Sequence, residues 1–157
     1  MKKRGLAVIL AVSLTLLAAS GCSSKETKTL DLTAFGAKVL ETVRYDDELV
    51  KMSEKVIPDY YNLSFDGLKE SVIYASGTMA TANELAVFCV ADEKAMEAAK
   101  QAVAARIKDQ TANYQNYNPA ELSRIEKALI VSEGHYLLFS ISNDNDAIQK
   151  LFEESLK

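Results

Sequence analysis

Apolar segments arrive in pairs, and each pair is followed at once by a helix-capping Asp or Asn. No other feature of the chain constrains its fold as much. Ser71 to Ser76 (SVIYAS) and Leu85 to Ala91 (LAVFCVA) are rich in β-branched and aromatic residues, the composition of strands. Gly77 to Asn83 connects them, which reads as a hairpin. Asp92 then caps an Ala-rich helix over about 93–114, with Met96, Ala99, Val103, Ile107, Gln110 and Tyr114 along one face. The pattern returns downstream. Leu129 to Ser132 and Tyr136 to Ser142 form a second hairpin around Glu133-Gly134. A helix from about Asp144 follows, with Ile148, Leu151, Phe152 and Leu156 facing inward. Phe88-Cys89-Val90-Ala91-Asp92 echoes Phe139-Ser140-Ile141-Ser142-Asn143 at the same point of each unit. The expected fold class is α+β: two hairpins joined in a four-stranded antiparallel sheet, with helices packed on one face.

The remaining segments fit around this frame. Residues 31–44 put Leu32, Phe35, Val39, Leu40 and Val43 on one stripe, the spacing of an amphipathic helix. Asp46-Asp47-Glu48 opens a second helical stretch to about Lys55, its acidic residues near the positive end. N-terminal helices are thus expected ahead of the sheet. Pro58 ends the second one, and residues 58–69 read as an irregular connection anchored by Tyr60, Leu63, Phe65 and Leu68. Asn118-Pro119-Ala120-Glu121 is a helix start, with Asn118 as N-cap and Glu121 as the capping-box carboxylate. That helix runs to about Lys127.

The first residues are an address. Lys2, Lys3 and Arg4 precede an apolar run from Leu6 to Leu17, and small residues close the segment before Cys22. The run is shorter than the about 20 residues of a membrane span. Ser20-Gly21-Cys22 resembles a bacterial lipobox, although Ala19 stands where Leu is usual. The resemblance implies cleavage before Cys22 and lipidation of its sulfur, giving an acylated, palmitate-type lipoprotein. Two or more acyl chains hold a protein firmly. The expected division is signal peptide 1–21, lipidated Cys22 and polar tether 22–30, and one α+β domain over 31–157. Removing residues 1–21 leaves 15 basic and 22 acidic residues. An acidic domain is repelled by an anionic membrane surface, so the lipid must do the anchoring. The expected location is the extracytoplasmic face of the cell membrane.

Composition narrows the chemistry. The formal net charge of the whole chain is −4, which lacks the basic footprint of a nucleic-acid binder. One His and two Cys argue against a zinc site. Asn143-Asp144-Asn145-Asp146 is not a calcium loop, because Ala147 falls at the fifth position and Ile148 at the sixth, where Gly is required. Helix capping explains this cluster, and Asp46-Asp47-Glu48 as well. No metal and no cofactor is expected. After processing, Cys89 is the one sulfhydryl left, and it reads as a buried small hydrophobe. His135 follows a turn glycine and reads as a surface residue. Ser140 and Ser142 lack the G-x-S-x-G context of a hydrolase elbow. Tyr60, Tyr61, Tyr114 and Tyr117 fall in or beside loops, where aromatic rings form a contact surface for a partner or a sugar, or else pack on the core.

Asn83-Glu84-Leu85-Ala86-Val87-Phe88, Tyr117-Asn118-Pro119-Ala120-Glu121, Gly134-His135-Tyr136-Leu137-Leu138 and Ser142-Asn143-Asp144 occur in this order and spacing. Together with the lipobox they resemble the Firmicute lipoproteins of domain of unknown function family 4358. Where that family commonly has an Asp-Glu pair before the second strand, this chain has Asn83-Glu84. The resemblance implies an envelope location and this fold, and it carries no activity.

Three functions follow as expectations. The first is a non-catalytic, membrane-anchored domain that binds another envelope protein. The second is a lipoprotein that holds a small ligand in a cleft, since the mature chain is too short for a two-lobed receptor. The third, ranked last, is an enzyme using Glu84 and His135, and no catalytic constellation supports it.

Overall fold

A computed structural model describes residues 28–62 and 66–157. The signal segment, Cys22, the first part of the tether, and the expected anchors Leu63 and Phe65 lie outside the described residues. Helix α1 spans Leu32–Thr42, strand β1 Leu49–Lys51 and helix α2 Ile57–Tyr60. Strands β2 (Leu68–Ser76) and β3 (Glu84–Val90) lead into the long helix α3, Glu93–Tyr117. A 3-10 turn at Pro119–Glu121 and helix α4 (Leu122–Ile125) precede β4 (Leu129–Glu133), β5 (Tyr136–Ile141) and α5 (Asn145–Ser155).

The chain is α+β with one antiparallel sheet, as expected, but the sheet has five strands in the order β1-β2-β3-β5-β4. The two hairpins join through β3 and β5, with Glu84 opposite Ile141 and Cys89 opposite Tyr136. The fifth strand comes from the stretch expected to be a helix after Asp46. Leu49, Val50 and Lys51 pair instead with Ser76, Ala75 and Tyr74. Asp47 caps this pairing rather than a helix, accepting hydrogen bonds from the Ser76 and Thr78 hydroxyls. Those bonds hold its carboxyl below the usual range.

Helices cover both faces of the sheet, not one. Ala86, Phe88 and Val90 pack in a core with Met96, Ala99 and Val103 of α3 and Ile125 of α4. Leu85 and Val87 belong to a second core with Leu32, Phe35 and Val39 of α1 and Ile148 and Phe152 of α5. The physical reason lies in the two central strands. Every residue of β5 is buried, and so is every residue of β3 except half-buried Cys89. A strand that is apolar at consecutive positions needs cover on both sides.

The helix starts divide. Asp92 caps α3 by accepting from the Ala95 N–H at 2.9 Å, and Asp144 caps α5 by accepting from Ala147 at 3.2 Å. Asn118 does not cap the next helix. Its amide donates to the Ala80 carbonyl at 3.2 Å, and the turn at Pro119 is 3-10. Glu121 is likewise no capping-box residue. Its carboxylate accepts from the Ala82 N–H at 2.9 Å and pairs with Arg124. Both residues tie the β2–β3 loop to the end of α3, and that loop forms one wall of the site.

The last residue of the expected tether belongs to the domain. Leu30 is buried, and its N–H donates to the Tyr136 hydroxyl at 3.0 Å.

Candidate functional site

Glu84 opens β3 with its side chain toward α3 and has 0% exposure. A carboxylate there requires compensation, and Arg106 of α3 supplies it. Arg106 Nε lies 3.2 and 3.1 Å from the two carboxylate oxygens, and Nη2 lies 2.8 Å from Oε2. Gln110, one turn further along α3, donates to Oε2 at 2.9 Å. The Tyr61 hydroxyl donates to Oε1, and Arg106 Nη2 also donates to the Tyr60 hydroxyl. The guanidinium lies 3.6 Å from the Tyr60 ring centroid, in cation–π contact. Burial works against the Arg106 charge, but the Glu84 carboxylate outweighs it and raises its pKa. The result is a neutral, charge-paired floor.

Above this floor opens a pocket of about 380 Å³. Helix α3 presents Arg106, Gln110, Asn113 and Tyr117 to it at successive turns, with Tyr114 beside them. Tyr60 closes one side, and Thr78, Met79 and Thr81 of the β2–β3 loop form the opposite wall. The Tyr114 hydroxyl donates to the Met79 and Thr81 carbonyls and so fixes that wall to α3. Met79 has a positive φ of 58° and is 74% exposed, and Tyr117 is 70% exposed. These two side chains form an apolar rim. The volume falls in the range of small-molecule sites, about 300–1,000 Å³.

The structure gathers some of the expected residues and disperses others. Tyr60, Tyr114 and Tyr117 meet in the pocket, whereas Tyr61 is a core residue, edge-on to Phe88 at 5.4 Å. Asn83 borders the pocket at 2% exposure, and its amide has no hydrogen-bond partner among the described residues. Glu84 and His135 are not brought together. The His135 carbonyl accepts from Val90, so the two residues stand at opposite ends of β3, separated by about 20 Å of strand. His135 is exposed. Ser140 and Ser142 are buried beside Tyr45, whose hydroxyl burial pushes up to about 12. Cys89 is half-buried and free, and burial raises its thiol pKa. Asn143 accepts from Arg124 Nε and donates to Asp46, and Asn145 donates to the Lys127 carbonyl. Among the described residues no group of three His, Cys, Asp or Glu is placed to hold a metal ion.

Arg106 is the floor residue that sequence reasoning missed. Its signal was present: it lies three residues after Val103 and four before Gln110, on the buried stripe of α3. A charged residue on such a stripe implies a buried partner.

The phenols of the site are held neutral to high pH. Burial first, and then the Glu84 charge, pushes Tyr60 up to about 12. Burial first, and then Glu121, pushes Tyr114 up to about 12. Tyr61 is raised well above its ordinary value for the same reasons as Tyr60. The folded state therefore holds these phenols neutral. Their contribution to stability is complete below pH 10, where both states are protonated, and is lost as pH rises through about 12. Unfolding free energies measured across this range should hold level below pH 10 and fall above it. A level profile to pH 12 would contradict the burial of these hydroxyls.

A family model described as a domain of unknown function (DUF4358) matches residues 42–142. The match takes in every residue of the pocket and its floor, and it ends before α5. No curated protein and no solved structure matches the chain.

Proposed function

The chain belongs to the family of domain of unknown function DUF4358, and on that premise we propose that it is a membrane-anchored, extracytoplasmic domain that binds a small ligand in the pocket beside α3. The observation that carries this reading is the pocket itself. A charge-paired floor and an aromatic wall are held rigidly by α3, β3 and the pinned β2–β3 loop. Mostly apolar pockets with a few fixed polar groups are the usual form of small-molecule sites.

The anchor is the lipid on Cys22 that the lipobox implies. Leu30 meets Tyr136, which pairs with Cys89 at one end of β3, while Glu84 and the pocket lie at the other end. Seven residues separate Cys22 from Leu30, so the domain stays within about 28 Å of its anchor. Leu30, where the tether enters the domain, and the pocket are thus at opposite ends of β3, and an anchor on the Leu30 side would leave the mouth open to the aqueous side. Cys22→Ser is expected to release the protein from the membrane fraction. Unchanged fractionation would remove the anchor from this account.

The binding claim is tested by thermal unfolding against a panel of envelope metabolites. A ligand at about 100 times its Kd should stabilise the domain by about 2.7 kcal/mol. Tyr117→Ala should reduce that shift while leaving the unliganded melting temperature within a degree or two. A shift that Tyr117→Ala leaves intact would place the ligand elsewhere. The second reading, a docking site for an envelope protein, is favoured by the exposed Met79 and Tyr117 side chains, both residue types common at interfaces.

A further inference from the structure

The ligand class can be read from the face of α3 that lines the pocket, given that the pocket is a small-ligand site. We infer that it takes a neutral carbohydrate, with a sugar ring against Tyr117 and its hydroxyls along Arg106, Gln110 and Asn113. Charge is the first argument. Arg106 is the one ionised side chain among the described residues lining the pocket, and Glu84 beneath it already balances that charge. An anionic ligand finds no unbalanced cation among these residues, and the Asp47 carboxylate behind Ser76 and Thr78 is already held by their hydroxyls, so desolvating a charged ligand there would be costly.

Hydrogen-bond capacity is the second. Nε and Nη2 of Arg106 are occupied by Glu84 and Tyr60, and Nη1 has no partner among the described residues. Gln110, which lines the pocket, donates through Nε2 to Glu84, and its carbonyl oxygen has no partner among the described residues and is free to accept. Asn113 is exposed and offers an amide donor and acceptor side by side. These groups stand one turn apart on a single helix face, and Arg106 to Tyr117 spans about 16 Å. A hydroxyl both donates and accepts through one atom, so a row of hydroxyls answers such a row of mixed donors and acceptors.

The rings are the third. Tyr117 is 70% exposed and sits edge-on to Tyr114, with centroids 6.2 Å apart. The negative face of an aromatic ring attracts the partly positive C–H groups on the apolar face of a sugar. A purely apolar ligand would leave Arg106 Nη1 and Gln110 covered and unpaired, at a cost in affinity.

The test is saturation-transfer NMR on the full-length protein in detergent, with glucose, N-acetylglucosamine and the β-linked tetramer of N-acetylglucosamine as probes, and phenol and a short neutral peptide as controls. Transfer to the C–H protons of at least one sugar is expected, with Kd weakened about tenfold by Tyr117→Ala and by Asn113→Ala, and retained by Tyr117→Phe. Tetramer binding well above that of the monomer would identify a glycan chain as the source, and equal binding a free sugar. Neither exposed variant disturbs the floor, so both remain folded. Sugar binding unaffected by both variants would overturn the inference. Phenol or peptide binding that Tyr117→Ala weakens, without any sugar, would also overturn it while leaving the pocket as a binding site. No binding by any probe would overturn both.

Discussion

Glu84→Ala is expected to destabilise the domain by about 3–5 kcal/mol, because it leaves the Arg106 guanidinium buried without a counter-charge. Arg106 is 8% exposed and so is poorly placed to recover that loss from water. The change also removes the acceptor for Tyr61 and Gln110. A loss of this size is a large fraction of the 5–15 kcal/mol that holds a domain folded. Arg106→Met should be damaging for the mirror-image reason, since the fully buried carboxylate then keeps only neutral donors. The pair Glu84→Leu with Arg106→Met should recover part of the loss, because no unpaired charge remains. Urea unfolding of Glu84→Leu, Arg106→Met and the double variant measures this directly. Additive losses would show that the two side chains do not meet.

Phe152→Ala is the second large expected effect, about 3–5 kcal/mol. Phe152 is fully buried in α5 and meets Phe35 of α1 edge-on, with ring centroids 5.8 Å apart. It fills the second core, on the face of the sheet opposite the pocket. Its removal should lower the urea midpoint with little change in slope, as expected for lost packing in a still cooperative domain. A loss below about 1 kcal/mol would mean that α5 is not docked on α1.

These two residues also mark how far the sequence could be read. The elements with strong local signals were legible: α3 after Asp92, α5 after Asp144, and the two hairpins. Strand β1 was not, because it has three residues and owes its form to pairing with β2 and to Asp47 holding Ser76 and Thr78. Acidic residues near an amphipathic stretch look the same whether they cap a helix or brace a loop. The second layer of helices was legible in principle. LAVFCVA and YLLFSI are apolar almost without interruption, and such strands are covered on both faces.

For the site, the tyrosines were visible as a group, but local sequence could not separate them. Tyr60 and Tyr61 are neighbours, yet one lines the pocket and the other enters the core. Glu84 drew notice as the second residue of Asn83-Glu84 and as a partner for His135, and strand length places Glu84 and His135 far apart. Its actual partner, Arg106, lies 22 residues away across the turn into α3. No local pattern joins them. What joins them is the need of a buried carboxylate for a cation.

Photo-crosslinking through a photoreactive residue in place of Met79, on the rim of the pocket, tests the central claim most directly. The lipidated protein would be irradiated in intact cells, purified, and weighed by intact mass spectrometry. The account predicts discrete small-molecule adducts, reduced when Tyr117→Ala is added. A single protein adduct in their place would contradict it and make this face a docking site for a partner chain.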